Sequence, residues 1–266
     1  MVGSIVDVSV IIPTRLTRPD LLGEAVASVI RQARLPAELI VVIDSGVASA
    51  ESIASRLPLS SAIATRFLFT GIPEGAGVST ARNLGASAAT GTHLAFLDDD
   101  DYWLPGMLDY FAPSAPDVGL SAFFKHQLDG TLVPEKVPPA HLHPRKFLVC
   151  NPGLRGSNLL IRRDLFHDVG GFAPDLPALN DLDFGIRLST KRPAQYVRAC
   201  DPRVVIRSHR GSRLTHHGSS AIADGVSRFW RRYAMQMTPR ERSQFWVRAG
   251  SLWGLTPPPD TMEARA

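Results

Sequence analysis

The chain opens with short apolar runs separated by amphipathic stretches. Val8-Ser-Val-Ile-Ile12 is a β-branched run ending at Pro13-Thr14, which reads as a buried strand followed by a turn. Thr17-Arg-Pro-Asp20 has the character of a helix start. Apolar residues then recur as Leu21/Leu22, Ala25/Val26 and Val29/Ile30 along one helical face. Residues 38–43 predict a second buried strand, stopped by Asp44-Ser-Gly46, residues 51–57 a helix, and residues 64–70 a third strand. A glycine-rich loop over 71–77 leads into a helix over 80–89, with Ser79 as its expected cap and Gly91 past its end. Leu94-Ala-Phe-Leu97 predicts the fourth strand.

This alternation implies an α/β fold, a parallel sheet with helices on both faces. Ligands of such sheets bind beyond the carboxyl ends of the strands. Pro13-Thr14, Asp44 and the run Asp98 to Asp101 all lie at such ends, so one crevice should gather them. From about Asp117 the texture changes. Pro and His crowd residues 137–144, the pattern of a loop over a site. Residues 157–161 read as a strand, 162–169 as a short helix ended by Gly170-Gly171, and 181–190 as a helix. Residues 211–218 read as a basic loop, 226–237 and 240–252 as terminal helices with exposed aromatics, and the Pro-rich tail from Thr256 as disordered.

Composition narrows the class. With 266 residues, 44% of them hydrophobic and 20% charged, the chain can bury the core of one large soluble domain. The net charge of +4 is spread along the sequence, which argues against a nucleic-acid footprint but favours anionic ligands such as nucleotide diphosphates, or anionic lipid. Cys150 and Cys200 have no metal-type spacing and read as ordinary thiols of a reducing compartment. No basic-then-apolar leader opens the chain, and no apolar run approaches the ~18–20 residues of a membrane span. The expectation is a cytoplasmic protein without a transmembrane segment. Frequent Pro, Ala and Arg point to a GC-rich bacterial genome.

The four aspartates carry the sharpest chemical signal. Like charges in a row repel, and a solvated turn is the plain explanation. A helix–loop–helix calcium site fails, because positions 5 and 6 counted from Asp98 are Tyr102 and Trp103. The D-x-D spacing of Asp98 and Asp100 suits a divalent cation shared with substrate phosphates. Trp103 reads as core more readily than as a sugar-stacking surface.

The segments VSVIIPT, ELIVVIDSG, GVSTARNLGASAATGTHLAFLDDDD, GSNLLIRRDLFHDVGGF and LNDLDFGIRL follow one another as in family 2 glycosyltransferases. The chain resembles that family over about 8–215. The resemblance implies a GT-A fold, a Rossmann-like, mostly parallel central sheet flanked by helices, with acceptor-side helices at the C-terminus. It also implies inverting sugar transfer from a nucleotide-diphosphate sugar to an acceptor hydroxyl, with Mn²⁺ or Mg²⁺.

Its residue roles are likewise what the resemblance implies. Pro13 and Thr14 match the nucleoside pocket, and Asp44 the acid that bonds the base. The family usually has Asp-Asp-Gly-Ser here, where this chain has Asp44-Ser45-Gly46 after Ile43. Arg82, in the first turn of its helix, matches the A-R-N element and a pyrophosphate contact. Asp98 matches the ribose contact, with Asp99 among the substrate-side positions although an extended segment would turn it away. Asp100 matches the metal ligand, and Asp101 a supporting or capping acid. Asp181 matches the general base. Asn180 replaces the usual Glu, counts as substrate-binding and is a candidate helix cap, while Asp183 faces elsewhere. His209 in RSHRGSR matches a metal ligand, with His216 and His217 nearby, and Arg207, Arg210 and Arg213 could hold a diphosphate.

The expected organisation is a nucleotide-sugar half over 1–116, an acceptor-binding and catalytic half of the same domain over 117–225, C-terminal helices over 226–254 and a disordered tail over 255–266. The expected partners are the donor sugar nucleotide and a carbohydrate or other hydroxyl-bearing acceptor, with core packing as the first role of the terminal aromatics and a homodimer contact as the second. Two rivals differ in class. A non-catalytic nucleotide- or sugar-binding relative would lack the acid at 100 or 181. A nucleotidyltransferase would carry a glycine-rich loop after the first strand, where this chain has Pro-Thr-Arg-Leu-Thr.

Overall fold

The computed structural model describes residues 6–46, 49–208 and 218–257. In chain order the elements are β1 (Val8–Thr14), α1 (Pro19–Ile30), β2 (Glu38–Ile43), α2 (Ala50–Ala54), β3 (Ala64–Phe69), α3 (Val78–Ala88), β4 (His93–Phe96), β5 (Tyr102–Trp103) and α4 (Met107–Phe111). The second half adds β6 (Val118–His126), β7 (Leu132–Lys136), α5 (Pro144–Val149), β8 (Leu159–Arg162), α6 (Arg163–Val169), α7 (Asn180–Lys191), β9 (Tyr196–Arg207), α8 (Ser220–Tyr233) and α9 (Pro239–Trp253).

One sheet runs through both halves in the order β3-β2-β1-β4-β8-β6-β9-β5, with β7 on the free side of β6. The pairs among β1 to β4 are parallel, β8 is antiparallel to β4 and β6, and β6 runs parallel to β9. Every residue of β1 and β2 is buried, as continuous apolar runs require when helices cover both faces. Period-two alternation splits their side chains. Ile11, Ile40 and Val42 enter a core with α3 and the helices from α5 onward. Val10, Ile12, Leu39 and Val41 enter a second core under α1 and α4. α3 lies so close to β1 that a Cβ on Gly85 would stand 2.5 Å from Ile11. The helices therefore set the height of the strand ends that carry the polar residues.

Several expectations are corrected. The α3 N-cap is Gly77 at φ +91, so Ser79 lies inside the helix with its hydroxyl buried and unpartnered. α2 ends at Ala54 rather than 57. The strand expected over 157–161 begins at Leu159, after a 3₁₀ turn over Gly156–Asn158. β6, β7 and β9 were not expected at all. In β9 the pair Asp201-Pro202 breaks the apolar pattern and shifts the register, so that Ser121 faces Ala199 but Ala122 faces Pro202. α8 starts at Ser220, because Gly225 is an interior residue pressed against Ala178 rather than a break. The terminal aromatics are packed, not exposed: Phe229 and Trp230 are buried, and Phe245 stacks with both. The expected tail lies mostly outside the described residues.

Glu38 begins β2 as a buried acid. Burial alone would push its carboxyl up, but hydrogen bonds from the Thr90 backbone and hydroxyl and from Ser9, with Arg66 nearby, outweigh it and hold the carboxyl below the usual 4.5. Those bonds span 2.6 to 2.7 Å, and Arg66 lies at 3.1 Å. A depressed carboxyl contributes stability that is present above its ordinary value and lost as pH falls through the folded one. Glu38→Gln should therefore flatten the loss of stability between about pH 6 and about pH 3 relative to the parent. Urea melts across that range check this, and parallel profiles for the two proteins would refute it.

Candidate active site

The crevice forms where β1, β2 and β4 end. The Asp44 N–H donates to the Thr14 carbonyl at 2.7 Å, joining the ends of β1 and β2. The Asp44 carboxylate is buried and engaged: Oδ1 accepts from the Thr70 hydroxyl at 2.8 Å and the Ala76 N–H at 2.6 Å, and Oδ2 from the Gly77 N–H at 2.9 Å. It thus anchors the N-terminal approach of α3, where the helix dipole favours an acid. Oδ2 keeps a lone pair for a further donor. Pro13 is buried within β1 beside Val42, and the Thr14 hydroxyl donates to Asp99 Oδ2 at 2.5 Å.

The aspartates do not stay extended. A turn carries them, closed by the Asp101 N–H donating to the Asp98 carbonyl at 3.1 Å, so Asp99 faces Thr14 rather than the opposite side. Arg82 pairs with Asp98 and stacks over Phe172, 5.0 Å from the ring centroid. It sits in the second turn of α3, not the first, and it is buried rather than a surface side chain. Its Nε has no protein partner. Asp100 Oδ2 meets Arg18 at 3.0 Å. Asp101 is fully inside: Oδ2 accepts from the Ser157 hydroxyl at 2.6 Å and Oδ1 from the Arg207 N–H at 3.1 Å. Burial, reinforced by Asp100 and Asp98, pushes the Asp101 carboxyl well up. Burial likewise raises Asp99 to about 6, against the Thr14 hydrogen bond. The turn therefore stores electrostatic repulsion that added positive charge would relieve.

Asp181 stands at the start of α7. Its Oδ1 accepts from the Leu182 N–H at 2.9 Å and its Oδ2 from Asn151 Nδ2 at 2.5 Å, while Arg155 lies 3.8 Å away. The α7 N-cap is Leu179 at φ +60, so Asn180 is the first helical residue and not the cap. Asp183 is wholly buried and points away, held by Arg187, Arg232 and Tyr233. One segment joins both regions. Asn151 and Arg155 touch Asp181, Gly156 packs on Arg82, and Ser157 accepts from the Asp98 N–H at 3.1 Å as well as donating to Asp101.

Asn151, Arg155, Ser157 and Arg18 are the residues that sequence reasoning missed as site residues. Only Ser157 carried a signal, lying in the quoted GSN stretch. His209, His216, His217, Arg210 and Arg213 lie outside the described residues. Among the described residues no three His, Cys, Asp or Glu side chains converge as a metal cluster, and no helix is long and apolar enough to cross a membrane. Trp103 is core, and its Nε1 donates to the Ser157 carbonyl at 2.8 Å.

Comparison with known proteins agrees with this architecture. Over residues 9–170 the chain matches the family model described as glycosyl transferase family 2. It is 25% identical over 191 residues to the uncharacterized glycosyltransferase YwdF of Bacillus subtilis, covering 68% of this chain and 67% of that protein. It is 27% identical over 119 residues to an uncharacterized glycosyltransferase of Haemophilus influenzae, covering 42% of this chain but only 40% of the relative. With the glucosyl-dolichyl phosphate glucuronosyltransferase of Haloferax volcanii it shares 28% identity over 187 residues, 62% of this chain and 55% of that one. The fold is similar to S. aureus TarS 1–349 in complex with UDP-GlcNAc, at TM-score 0.62 and 17% identity over 92% of this chain and 80% of that one. It is also similar to GalNAc-T7 with UDP, GalNAc and Mn²⁺, at TM-score 0.63 and 18% identity over 86% and 48%. The fold is thus GT-A, and the chain belongs to glycosyl transferase family 2.

Proposed function

We propose that the protein is an inverting glycosyltransferase that moves a sugar from a nucleotide-diphosphate sugar to an acceptor hydroxyl. The carrying observation is the segment 151–157, which touches both Asp181 and the aspartate turn and so ties the candidate base to the turn at the strand ends. The nucleotide half, 1–116, supplies Pro13, Thr14, Asp44, Arg82, Asp98 and Asp99, while 117–225 supplies the acceptor side with Asp181 and Asn180.

Asp181 takes the proton of the acceptor hydroxyl. The oxygen attacks the anomeric carbon from the face opposite the diphosphate, the bond from that carbon to the diphosphate oxygen breaks, and the nucleoside diphosphate leaves. Asn151 and the Leu182 N–H hold the two carboxylate oxygens of Asp181 in fixed directions. Asp101, tied to Ser157 and to the Arg207 backbone, fixes the turn that presents Asp100.

A divalent ion suits the donor set only in the form that uses one or two carboxylates plus substrate phosphates. Asp100 would hold it, with His209 as the second candidate. Arg18 already meets Asp100, so an arriving cation would share or displace that contact. When bound, the ion supplies positive charge to the leaving phosphate oxygens.

A second reading, a non-catalytic sugar-binding relative that takes no nucleotide, draws on the Asp44 carboxylate being engaged by the protein's own loop. Thermal shift decides between them. UDP, GDP, dTDP and CDP are each tested with Mn²⁺, Mg²⁺ or EDTA, since a ligand of the native state raises Tm. The transferase reading expects a shift with one nucleotide that EDTA removes, and Asp100→Ala should abolish the metal-dependent part in calorimetric titration. Unchanged metal-dependent affinity in that variant would remove Asp100 as the ligand. No shift with any nucleotide would favour the non-catalytic reading.

A further inference from the structure

Arg155 stands beside Asp181, Lys136 reaches it through Asn151, and Arg248 lies near Lys136, three cations from separate parts of the chain. Lys136 ends β7 and donates through Nζ to the Asn151 carbonyl, while the Asn151 side chain donates to Asp181 at 2.5 Å. Arg155 stands 3.8 Å from the same carboxylate, beyond hydrogen-bond distance, with 45% of its side chain exposed. Arg248 lies on α9, close enough to act on Lys136. Burial holds the Lys136 ammonium below its ordinary value, and Arg248 and Arg155 press it further down against the opposing pull of Cys150 and Glu135.

Among the described residues, Asp181 is the only carboxylate ion-paired with any of these cations. The three cations outnumber the carboxylates acting on them, Asp181 and Glu135, so a further anion would offset the remaining repulsion. The cluster also lies on the acceptor's side. β7 pairs with β6 and α9 packs on α5, whereas the nucleotide-side residues come from β1, β2 and the turn after β4.

We propose that the acceptor carries a phosphate group, which docks between Lys136 and Arg155 while the reacting hydroxyl faces Asp181. A guanidinium fork and an ammonium match phosphate oxygens well. Arg248 adds charge behind Lys136 without needing contact. The proposal rests on Asp181 being the base, and it narrows the acceptor from any hydroxyl compound to phosphorylated ones. The phosphate is either that of a soluble ester or that of a lipid headgroup.

The test uses the full chain saturated with whichever nucleoside diphosphate it binds, so that the donor site is filled. Glycerol 3-phosphate and glucose 6-phosphate are titrated by calorimetry beside glycerol and glucose. The phosphate esters should bind and the neutral alcohols should not. Arg155→Gln and Lys136→Gln should each weaken ester binding roughly ten- to a hundredfold, as loss of a charged hydrogen bond does, with nucleotide binding unchanged. Arg155 is exposed enough that its variant should fold.

A parallel co-sedimentation with phosphatidylcholine vesicles, with and without phosphatidic acid, separates the sources. Capture by the acidic vesicles that both variants lose assigns the lipid headgroup, whereas ester binding without capture assigns the soluble form. Ester binding that survives in both variants, or a nucleotide-bound chain that takes neither ester nor acidic vesicle, overturns the proposal alone. A chain that binds no nucleotide at all overturns the transferase reading and this proposal with it.

Discussion

Asp181→Asn should lower kcat by about 10²–10⁴-fold, the usual contribution of a general base, while donor binding stays at the parent's level. The expectation follows from where the carboxylate sits. It opens α7 in the second half of the chain, touches Asn151 and Arg155, and has no hydrogen bond to Thr14, Asp44 or the aspartate turn among the described residues. An asparagine keeps the shape and can still accept from Asn151, but it cannot take a proton. The loss corresponds to roughly 3–5 kcal/mol of transition-state stabilisation. Turnover and calorimetric nucleotide affinity are measured together. Normal turnover would remove Asp181 as the base, and weakened nucleotide binding would move it to the donor site.

The largest stability effect is expected two residues later. Asp183 is completely buried and accepts from Arg187 at 2.5 and 2.9 Å, from Arg232 at 2.8 Å and from the Tyr233 hydroxyl at 2.7 Å. These contacts fasten α8 to α7. Asp183→Ala removes the acid and leaves two guanidiniums facing a buried hydroxyl. Breaking a buried pair typically costs about 3–5 kcal/mol. The side chains of Arg187 and Arg232 are 29% and 35% exposed, so water offsets part of the loss and the lower end applies. At about 2–4 °C per kcal/mol for a chain near this size, Tm should drop by roughly 6–12 °C. Calorimetry measures it directly. A drop of only a degree or two would mean that packing, not this cluster, docks α8.

The two aspartates of one motif also show what a sequence can and cannot convey. Asp181 and Asp183 are separable on paper because a helix turns them apart. That Asp183 would meet Arg232 and Tyr233, some fifty residues on, has no local signature. The first half was legible for a physical reason. β1, β2 and β4 are covered on both faces, so their apolar runs are unbroken and their ends are marked by polar residues. β7 reads Leu-Val-Pro-Glu-Lys at the sheet margin, with four of its five residues exposed, and offers neither alternation nor a run. Within the site, Thr14, Asp98, Asp99 and Asp100 were placed in one crevice by the strand-end argument alone. Asn151 and Arg18 were not, because their bonds to Asp181 and Asp100 depend on loop conformations that no period encodes.

The far edge of the sheet bears on the order in which the chain matures. β5 follows the aspartate turn directly, yet it pairs with β9, Tyr102 against Val205 and Trp103 against Val204. The Asp101 carboxylate likewise waits for the Arg207 backbone. During synthesis from the N-terminus, the strands β1 to β4 can pair as soon as they emerge, while the aspartate turn stays unanchored on one side until about a hundred more residues have been made. Such distant pairings are slow to form because loop closure precedes their reward. The nascent protein thus completes the β1–β4 part of its sheet before it completes the turn, so any ligand binding that depends on the aspartate turn should arise only as β9 docks.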